Sequence, residues 1–403
     1  MEDEFWYART CLRCSLHRRL VELLDDGTGR VAPLLLPLSS ALCVADPSRG
    51  LSWLRSAPVR DRLRALATGQ VAITHAGLDV LGRSSGVEYL RDLLMAQGVL
   101  PRRDKHLAQF ERWAALRLET VAHAEDRAAI TAYVRWHQLR RLRADASTGE
   151  LGKSKADLAR QQTNIAIEFL AWLRRRRLVL AACRQADLDA WLASPVTTRL
   201  HTRSFLVWAM DNGRCPRLVL PRHRGGVPRT MSQARRTELV AQLFVDESIE
   251  LADRVAGCIV LLYAQPIARV AQVKVAHLEE RDQEVWLRLA GEAVPLPEPL
   301  GSLAIKLKAR RPNMATAANP KSPWLFPGRS AGHPLEARQL ARRLGRVGVS
   351  RLGRLAAFHQ LVTAIPAPVL AELLGYNPKV AAERAAELAT DWAGYAALKS
   401  RDA

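Results

Sequence analysis

Apolar residues recur at intervals of three and four along most of the chain, the spacing of one buried face of an α-helix. In the N-terminal half this pattern predicts helices over residues 12–24, 59–66 and 153–177, and further amphipathic helices between 86 and 143. The predicted buried faces of the longer helices carry Leu90, Leu93, Leu94, Phe110, Trp113, Leu116, Ile165, Phe169 and Trp172. This half of the chain is therefore predicted to be helical throughout.

The C-terminal half adds one short stretch of β structure to the same helical pattern. Helices are predicted over 234–244 and 251–263, the second apolar enough to be buried but too short to cross a membrane. The sequence predicts a hairpin of two strands, Glu284–Leu289 and Ala293–Leu296, that turns at Gly291-Glu292. The predicted fold class is mainly α with a small antiparallel sheet.

A chain of 403 residues is too long for one compact core, so two or three domains are expected. The stretch from Pro216 to Pro228 is basic and rich in Pro and Gly, which is typical of a linker. We therefore divide the chain into a helical N-terminal region (1–83), a basic helical domain (84–227) and a C-terminal domain (228–403).

Basic residues outnumber acidic ones by 60 to 40, a formal net charge of +20. Residues 101–230 hold 25 Lys and Arg against 12 Asp and Glu, so a net +13 lies in about a third of the chain. Such clustering predicts a polyanionic partner, with double-stranded DNA first. The candidate DNA-binding residues are Lys153, Lys155, Arg174, Arg175, Arg176, Arg177, Arg222 and Arg224. For Arg174–Arg177, a solvated helix end stabilised by the helix dipole is the alternative.

A membrane is not expected as a partner, because the sequence has no run of about 18 apolar residues that could span one. The acidic opening Met1–Glu4 is unlike a secretory leader, so we expect a cytoplasmic protein.

The cysteines at 11, 14, 43, 183, 215 and 258 are scattered, which indicates reduced thiols. Cys11 and Cys14 form half of a tetrahedral zinc site that His17 and Cys43 could complete. We favour the interpretation that Cys11 and Cys14 are two ordinary thiols, and we predict neither a metal nor a cofactor. The sequence also lacks a Gly-rich phosphate loop, a zinc-protease helix motif and a serine elbow.

Four motifs follow one another in a fixed order from residue 232 onward. They are Leu261–Tyr263 with Val270–Leu278, the hairpin leading to Val294–Pro297, then Trp324–Gly328, then Val369–Tyr376. Together they resemble the catalytic domain of the tyrosine recombinases, the family of phage-type integrases, and the resemblance covers about residues 150–400. Tyr263–Pro266 and Trp392–Tyr395 are also similar to segments of actinobacterial integrase-like proteins.

The resemblance implies a helical N-terminal region and a core-binding-like domain, followed by an α+β catalytic domain with a small antiparallel sheet. It implies DNA binding in site-specific recombination or integration, and a homo-oligomer on DNA is compatible with it. The family's chemistry surrounds one phosphate with two arginines and further donors, while a tyrosine hydroxyl attacks phosphorus.

Several site positions of the family can be carried over to this sequence. Arg354 matches the second arginine, Arg351 stands in place of a histidine, and Tyr376 stands in place of a later histidine. Pro266 occupies the first arginine's position, and Arg269, three residues further on, is the candidate substitute.

The position of the attacking tyrosine falls on Ala385, which has no nucleophile, and the nearest tyrosine is Tyr395. Tyr395 is therefore a candidate nucleophile, with an aromatic anchor beside Trp392 as the alternative. The hairpin turn Ala290–Glu292 lacks the family's lysine. We expect a DNA-binding protein whose strand cleavage is impaired or lost.

Two other classes of function remain open at this point. Val369–Tyr376 followed by Asn377-Pro378 has the spacing of a helix-turn-helix, in which Lys379, Glu383 and Arg384 would face bases of the regulated DNA. An interaction or scaffold protein is the third class, although it would leave the basic residues dispersed.

Overall fold

The computed structural model describes residues 6–7, 10–82, 84–149, 151–194, 196–220, 230–314 and 322–386. Within these ranges the chain is mainly helical, with a two-stranded ribbon near its start and a three-stranded antiparallel sheet in its C-terminal half. The predicted class, mainly α with a small antiparallel sheet, is confirmed. None of the helices in the described ranges is long and apolar enough to cross a membrane.

The chain divides into two compact units: a discontinuous unit of residues 1–102 with 228–403, and an inserted unit of residues 103–227. The inserted unit begins at Arg103, whereas the sequence placed the first boundary after residue 83. The reason is that Val87, Leu90 and Leu94 pack into the same apolar core as Leu16 and Leu20, so this helix belongs with the N-terminal helices.

The N-terminal part of the discontinuous unit is a set of short helices around a leucine-rich core. Its elements are β1 (Trp6–Tyr7), β2 (Thr10–Cys11), α1 (Leu12–Leu23), α2 (Leu36–Val44), α3 (Pro47–Leu54), α4 (Ala57–Ala67), α5 (His75–Val80) and α6 (Ser85–Ala96). Side-chain oxygens of Asp46, Thr74 and Ser84 accept backbone N–H groups at the starts of α3, α5 and α6. These caps explain why a polar residue precedes the apolar pattern of each of these helices.

In its described residues the inserted unit forms helices and no strands, and its aromatic core includes Phe110, Tyr133, Phe169 and Phe205. Its elements are α7 (Lys105–Glu119), α8 (Ala124–Tyr133), a π-helical segment (Val134–Leu139), α9 (Arg140–Thr148), α10 (Lys153–Arg175), α11 (Gln185–Leu192) and α12 (Thr202–Asp211). Asp104 caps α7 through the N–H groups of His106 and Leu107 at 2.9 Å.

The C-terminal part of the discontinuous unit packs helices and the small sheet around α14, whose residues 252–261 are all buried. Its elements are α13 (Gln233–Val245), α14 (Leu251–Leu262), α15 (Ile267–Ala271), β3 (Leu278–Arg281), β4 (Glu284–Arg288), β5 (Ala293–Leu296), α16 (Leu300–Ala309), α17 (Ala337–Arg346), α18 (Arg351–Ala364) and α19 (Ala367–Leu374). Leu287 lies opposite Leu278 and Val294, so one face of the sheet is apolar and joins the core. The predicted hairpin is present as β4 and β5.

Candidate functional site

The candidate site of the discontinuous unit is built around the loop that follows α14. Ala264 is buried and has a φ of 56°, a left-handed conformation that is uncommon for a residue with a side chain. Gln265 is also fully buried, and its amide nitrogen donates to the carbonyl oxygens of Tyr263 at 3.3 Å and Leu374 at 3.1 Å. The loop is thereby attached to the end of α19.

Arg269, the expected substitute for the first arginine, points to the same helix end. Its Nη1 donates to the carbonyl of Leu374 at 2.7 Å and its Nη2 donates to the carbonyl of Gly375 at 3.0 Å. The last carbonyls of a helix have no partner within the helix, and a cation there also complements the helix dipole. Arg269 is therefore placed as a cap of α19, and this placement by itself does not point to a phosphate contact.

Tyr376 and Arg354 meet at the carbonyl oxygen of Ala264. The Tyr376 hydroxyl donates to this oxygen, and Arg354 Nη1 lies 3.4 Å from it. The Tyr376 ring packs on Phe358, with ring centroids 4.5 Å apart. Burial raises the pKa of Tyr376 although the adjacent Arg354 acts in the opposite direction, so the hydroxyl stays protonated at neutral pH. The fold thus brings Tyr376 and Arg354 together at one carbonyl oxygen.

Arg351 is exposed at the first position of α18, one helical turn before the half-buried Arg354. The start of a helix carries N–H groups without intrahelical partners and a partial positive charge, which favours anions. Two arginines one turn apart on this helix start form a positive surface with donors for a phosphate group, whereas the single hydroxyl proton of Tyr376 is donated to Ala264.

The position expected for a nucleophile holds no reactive group. Ala385 is half-buried and packs against the small apolar cluster of Phe358 and Leu374. Tyr395 lies outside the described residues. The turn between β4 and β5 is held on α19, since the Gly291 N–H donates to the carbonyl of Glu372 at 3.3 Å.

In the inserted unit, Arg174 has a different environment from the three arginines that follow it. Its Nε donates to Asp126 at 3.0 Å, and its Nη2 donates to Asp126 at 2.9 Å and Glu125 at 2.8 Å. These bonds, Asp126 first, raise the pKa of Arg174. The side chain ties α10 to α8, so Arg174 acts in the internal structure of the unit, and its contact with DNA stays a prediction.

Arg175, Arg176 and Arg177 are exposed at the end of α10. The Arg176 guanidinium lies 4.7 Å from the centroid of the Trp172 ring, which positions it on the surface. Arg177 has a φ of 60°, and the Leu178 N–H donates to the carbonyl of Leu173 at 2.9 Å, the pattern of a helix end that usually takes Gly.

The other predicted DNA-binding residues within the described ranges are two lysines of α10. Lys153 is exposed at the start of α10, and Lys155 is exposed and pairs with Asp145 at 2.9 Å. Such a surface pair contributes little stability and can be exchanged for a phosphate contact. Arg222 and Arg224 lie outside the described residues.

The cysteine candidates form no metal centre in the described part of the chain, where no group of three or more His, Cys, Asp or Glu side chains is arranged for a metal ion. The Cys14 N–H contacts Cys11 Sγ at 3.4 Å, so this sulfur caps α1. Cys43 Sγ lies 3.8 Å from His17 Nδ1.

Sequence reasoning missed the two residues that organise the site, Ala264 and Gln265. Their signal was the segment Tyr263–Pro266, which carries a glutamine between an alanine and a proline directly after a buried helix. A glutamine at such a position is buried only when backbone groups satisfy its amide.

Comparisons with known proteins give similarities of structure and none of sequence. No protein-family profile and no curated protein matches the chain. The chain is similar to the integrase of the Tn1549 transposon in complex with a circular-intermediate DNA, with a TM-score of 0.45, 13% identity and coverage of 64% of this chain and 93% of that one.

Two further solved structures are similar to the chain. One is the XerH site-specific recombinase bound to a palindromic difH substrate, with a TM-score of 0.46, 11% identity and coverage of 73% and 95%. The other is a lambda integrase dimer bound to a core site, with a TM-score of 0.31, 14% identity and coverage of 68% and 93%. Two of these structures are described as integrases and one as a site-specific recombinase, and each is bound to DNA.

Replacing Arg174 with Gln is expected to lower the free energy of unfolding of the inserted unit by about 1–3 kcal/mol, because it leaves the buried carboxylate of Asp126 without its cation. Arg175→Gln, one residue later on the exposed side, should leave stability unchanged within about 0.5 kcal/mol. Urea denaturation of both variants measures the difference. Equal stabilities would show that Arg174 is a surface residue in solution.

Gly375→Ala is expected to destabilise the discontinuous unit by more than about 1 kcal/mol, the usual cost of a side chain in a left-handed position. Gly375 has a φ of 68°, and an added Cβ would lie 2.7 Å from Arg269 Nη1 and 3.1 Å from Ala290 Cβ. The control is Gly345→Ala within α17, where an added Cβ meets nothing within 4 Å. That change should stabilise the protein slightly, as measured by thermal unfolding; a loss of the same size in both variants would contradict the assigned role of Gly375.

Proposed function

We propose that this protein binds double-stranded DNA as a divergent relative of the tyrosine recombinases, with strand cleavage impaired or lost. The observation that carries the proposal is the convergence of Arg354 and Tyr376 on the Ala264 carbonyl, with Arg351 exposed one turn away at the start of α18. These residues occupy the positions that the sequence motifs assign to phosphate recognition.

A second feature supports the same partner within the inserted unit. Arg175, Arg176 and Arg177 present three cations at one exposed helix end, where they can neutralise phosphates and release condensed counterions. With DNA as the partner, we infer a cytoplasmic protein and keep assembly of several copies on DNA as a prediction.

Loss of cleavage follows from the chemistry of the altered positions. A covalent intermediate needs a nucleophile beside the phosphate, and alanine at 385 supplies none. Arg269, the substitute for the first arginine, has both Nη atoms donating to carbonyls of α19 and its turn. The remaining cations can bind a phosphate without attacking it.

The helix-turn-helix alternative has no specific observation in its favour. Gly375 provides the turn after α19, and Asn377 Oδ1 accepts the Lys379 N–H at 2.9 Å at the start of the next helix. However, α19 is bound to the β4–β5 turn, and Tyr376 packs inward on Phe358. The two helices of this motif, α19 and the helix that begins at residue 378, thus both pack into the discontinuous unit.

The double variant Arg175→Gln/Arg177→Gly is expected to weaken duplex binding for all sequences and to reduce the slope of log affinity against log salt by about 1–2, because two phosphate contacts are lost. Glycine suits the left-handed position of Arg177, so stability should be unchanged or higher. Fluorescence anisotropy at several salt concentrations gives the slope. Arg143→Gln, an exposed residue paired with Glu111 at 2.8 Å, is the control, and a variant slope equal to that of the control would remove this helix end from the interface.

Selecting genomic fragments with the purified protein, then denaturing part of the sample, tests the whole proposal. We expect enrichment of a specific site, weaker enrichment with Arg351→Gln, and no protein–DNA adduct on a denaturing gel, because the attacking tyrosine is missing. An adduct that disappears in Tyr395→Phe would establish an active recombinase with Tyr395 as nucleophile. Absence of any enrichment would reject site-specific DNA binding.

A further inference from the structure

The inserted unit contains a π-helical segment, Val134–Leu139, between α8 and α9. Such segments widen a helical turn by one residue and occur frequently at functional sites. Here the segment carries His137 and Gln138 directly after Tyr133, and Tyr133 and Gln138 are almost completely buried.

These three side chains form a polar network inside an otherwise aromatic core. The Tyr133 hydroxyl donates to Ser204 Oγ at 2.9 Å, and Gln138 Nε2 donates to Tyr133 Oη and to Gln162 Oε1 at 3.0 Å. The imidazole of His137 stacks on the Tyr133 ring with centroids 5.2 Å apart. Burial raises the pKa of Tyr133 to about 12, so its hydroxyl remains a donor.

The network opens into a surface cleft of about 370 Å³. The polar side chains that line it are His137, Arg141, Gln162, His201, Arg203 and Ser204. Among the described residues that line the cleft, none is acidic. Two guanidinium groups and several hydrogen-bond donors around a cavity of this size suit a phosphate group together with the sugar or other group that carries it.

His137 is positioned to respond to such an anion. Its Nε2 lies 3.4 Å from Ser204 Oγ and 3.4 Å from Arg141 Nη1. Burial, followed by the charge of Arg141, lowers the pKa of His137, so the imidazole is neutral at pH 7 without a ligand. An anion between His137 and Arg141 would favour the protonated form and turn Nε2 into a donor.

A purely structural role accounts for only part of this arrangement. Satisfying the buried Tyr133 hydroxyl and the Gln138 amide requires Ser204 and Gln162, but it requires neither Arg141 nor the two histidines. Arg141 and Arg203 are exposed and lie on the rim, with one Arg203 nitrogen donating to the carbonyl of Leu220 at 3.2 Å. The charged rim therefore points to a ligand.

We propose that this cleft binds a phosphate group between Arg141, Arg203 and a protonated His137. The phosphate belongs either to a DNA backbone or to a free phosphorylated molecule, and only the first form rests on the proposed function. Tyr133 stacks on His137, and His201 and the neutral Gln162 line the same cleft, so the anion itself supplies the negative charge that favours protonation.

Binding then takes up a proton, and the sign of the pH dependence follows. The pKa of His137 is lowered in the free protein and rises in the complex, so phosphate affinity increases as pH falls through the range between these two values. Calorimetry of the full chain with inorganic phosphate, in buffers of different ionisation enthalpy, measures the net proton uptake, and the same titration of His137→Gln gives the part that comes from the ionisation of phosphate itself. NMR of isotope-labelled histidine follows the titration of His137 directly.

Arg141→Gln is expected to weaken phosphate binding by about tenfold or more, since one charge-assisted contact is lost. His137→Gln keeps an amide beside Ser204 and should abolish the imidazole's share of the proton uptake while the protein remains folded. Arg143→Gln, two residues further along α9, pairs with Glu111 outside the cleft and should behave like the unmodified protein. The proposal would be overturned if Arg141→Gln and His137→Gln bound phosphate with the same affinity and proton uptake as the Arg143→Gln control. It would also be overturned if neither phosphate nor duplex bound in the cleft.

Competition separates the two sources of the phosphate. If a DNA duplex displaces inorganic phosphate and shifts the His137 signal, the cleft holds the DNA backbone; if phosphate shifts the signal but the duplex does not, the ligand is a free phosphorylated molecule. Suppose that His137→Gln and Arg141→Gln bind duplex as well as Arg143→Gln does, and that His137 of the unmodified protein does not respond to phosphate. This result would refute phosphate binding in the cleft and leave DNA binding intact. A protein that binds phosphate but no duplex would refute DNA binding and retain the cleft.

Discussion

The geometry of the discontinuous unit depends on how the C-terminal end of α19 is satisfied. Carbonyl groups in the last turn of a helix lack intrahelical partners, and burying them without partners costs free energy. Gln265 and Arg269 meet this requirement at Leu374 and Gly375, and in doing so they fix the chain direction into Tyr376. The Tyr376 hydroxyl then reaches the Ala264 carbonyl, where Arg354 also lies, so a structural constraint on one helix end assembles the candidate phosphate site.

Arginine serves two purposes in this protein, and composition alone does not separate them. Several arginines are buried and donate to helix-end carbonyls: Arg236 to Leu261 of α14, and Arg254 to Leu243 and Phe244 of α13. Arg174 neutralises a buried carboxylate. The guanidinium group suits such positions because it keeps its charge and presents several donors in fixed directions. The formal charge of +20 therefore overstates the cationic surface, which resides in residues such as Arg175, Arg177 and Arg351.

The sequence located the helices predicted over 12–24, 59–66, 153–177, 234–244 and 251–263 to within a few residues, because the spacing of their apolar residues is regular. The helix predicted over 251–263 is α14, and the hairpin predicted at 284–296 is β4 and β5. It grouped α6 with the residues that follow, whereas α6 packs with the N-terminal helices, because apolar spacing shows that a helix has a buried face but not which core that face joins. It also gave no sign of the cleft in the inserted unit, because His137, Gln162 and Ser204 are distant in sequence and only the π-helical segment and two neighbouring helices bring them together.

The sequence by itself determined the mainly α class, the small sheet, the basic character of residues 101–230 and the absence of a nucleophile at Ala385. These properties depend on local periodicity, on charge and on residue identity, which need no coordinates. Only the tertiary structure decided that Arg174 pairs with Asp126, that Arg269 caps α19, and that Arg354 and Tyr376 share one carbonyl. The physical reason is that the partner of a long polar side chain is set by which buried donors and acceptors the fold brings within about 3 Å, and this follows from packing between segments far apart in the chain.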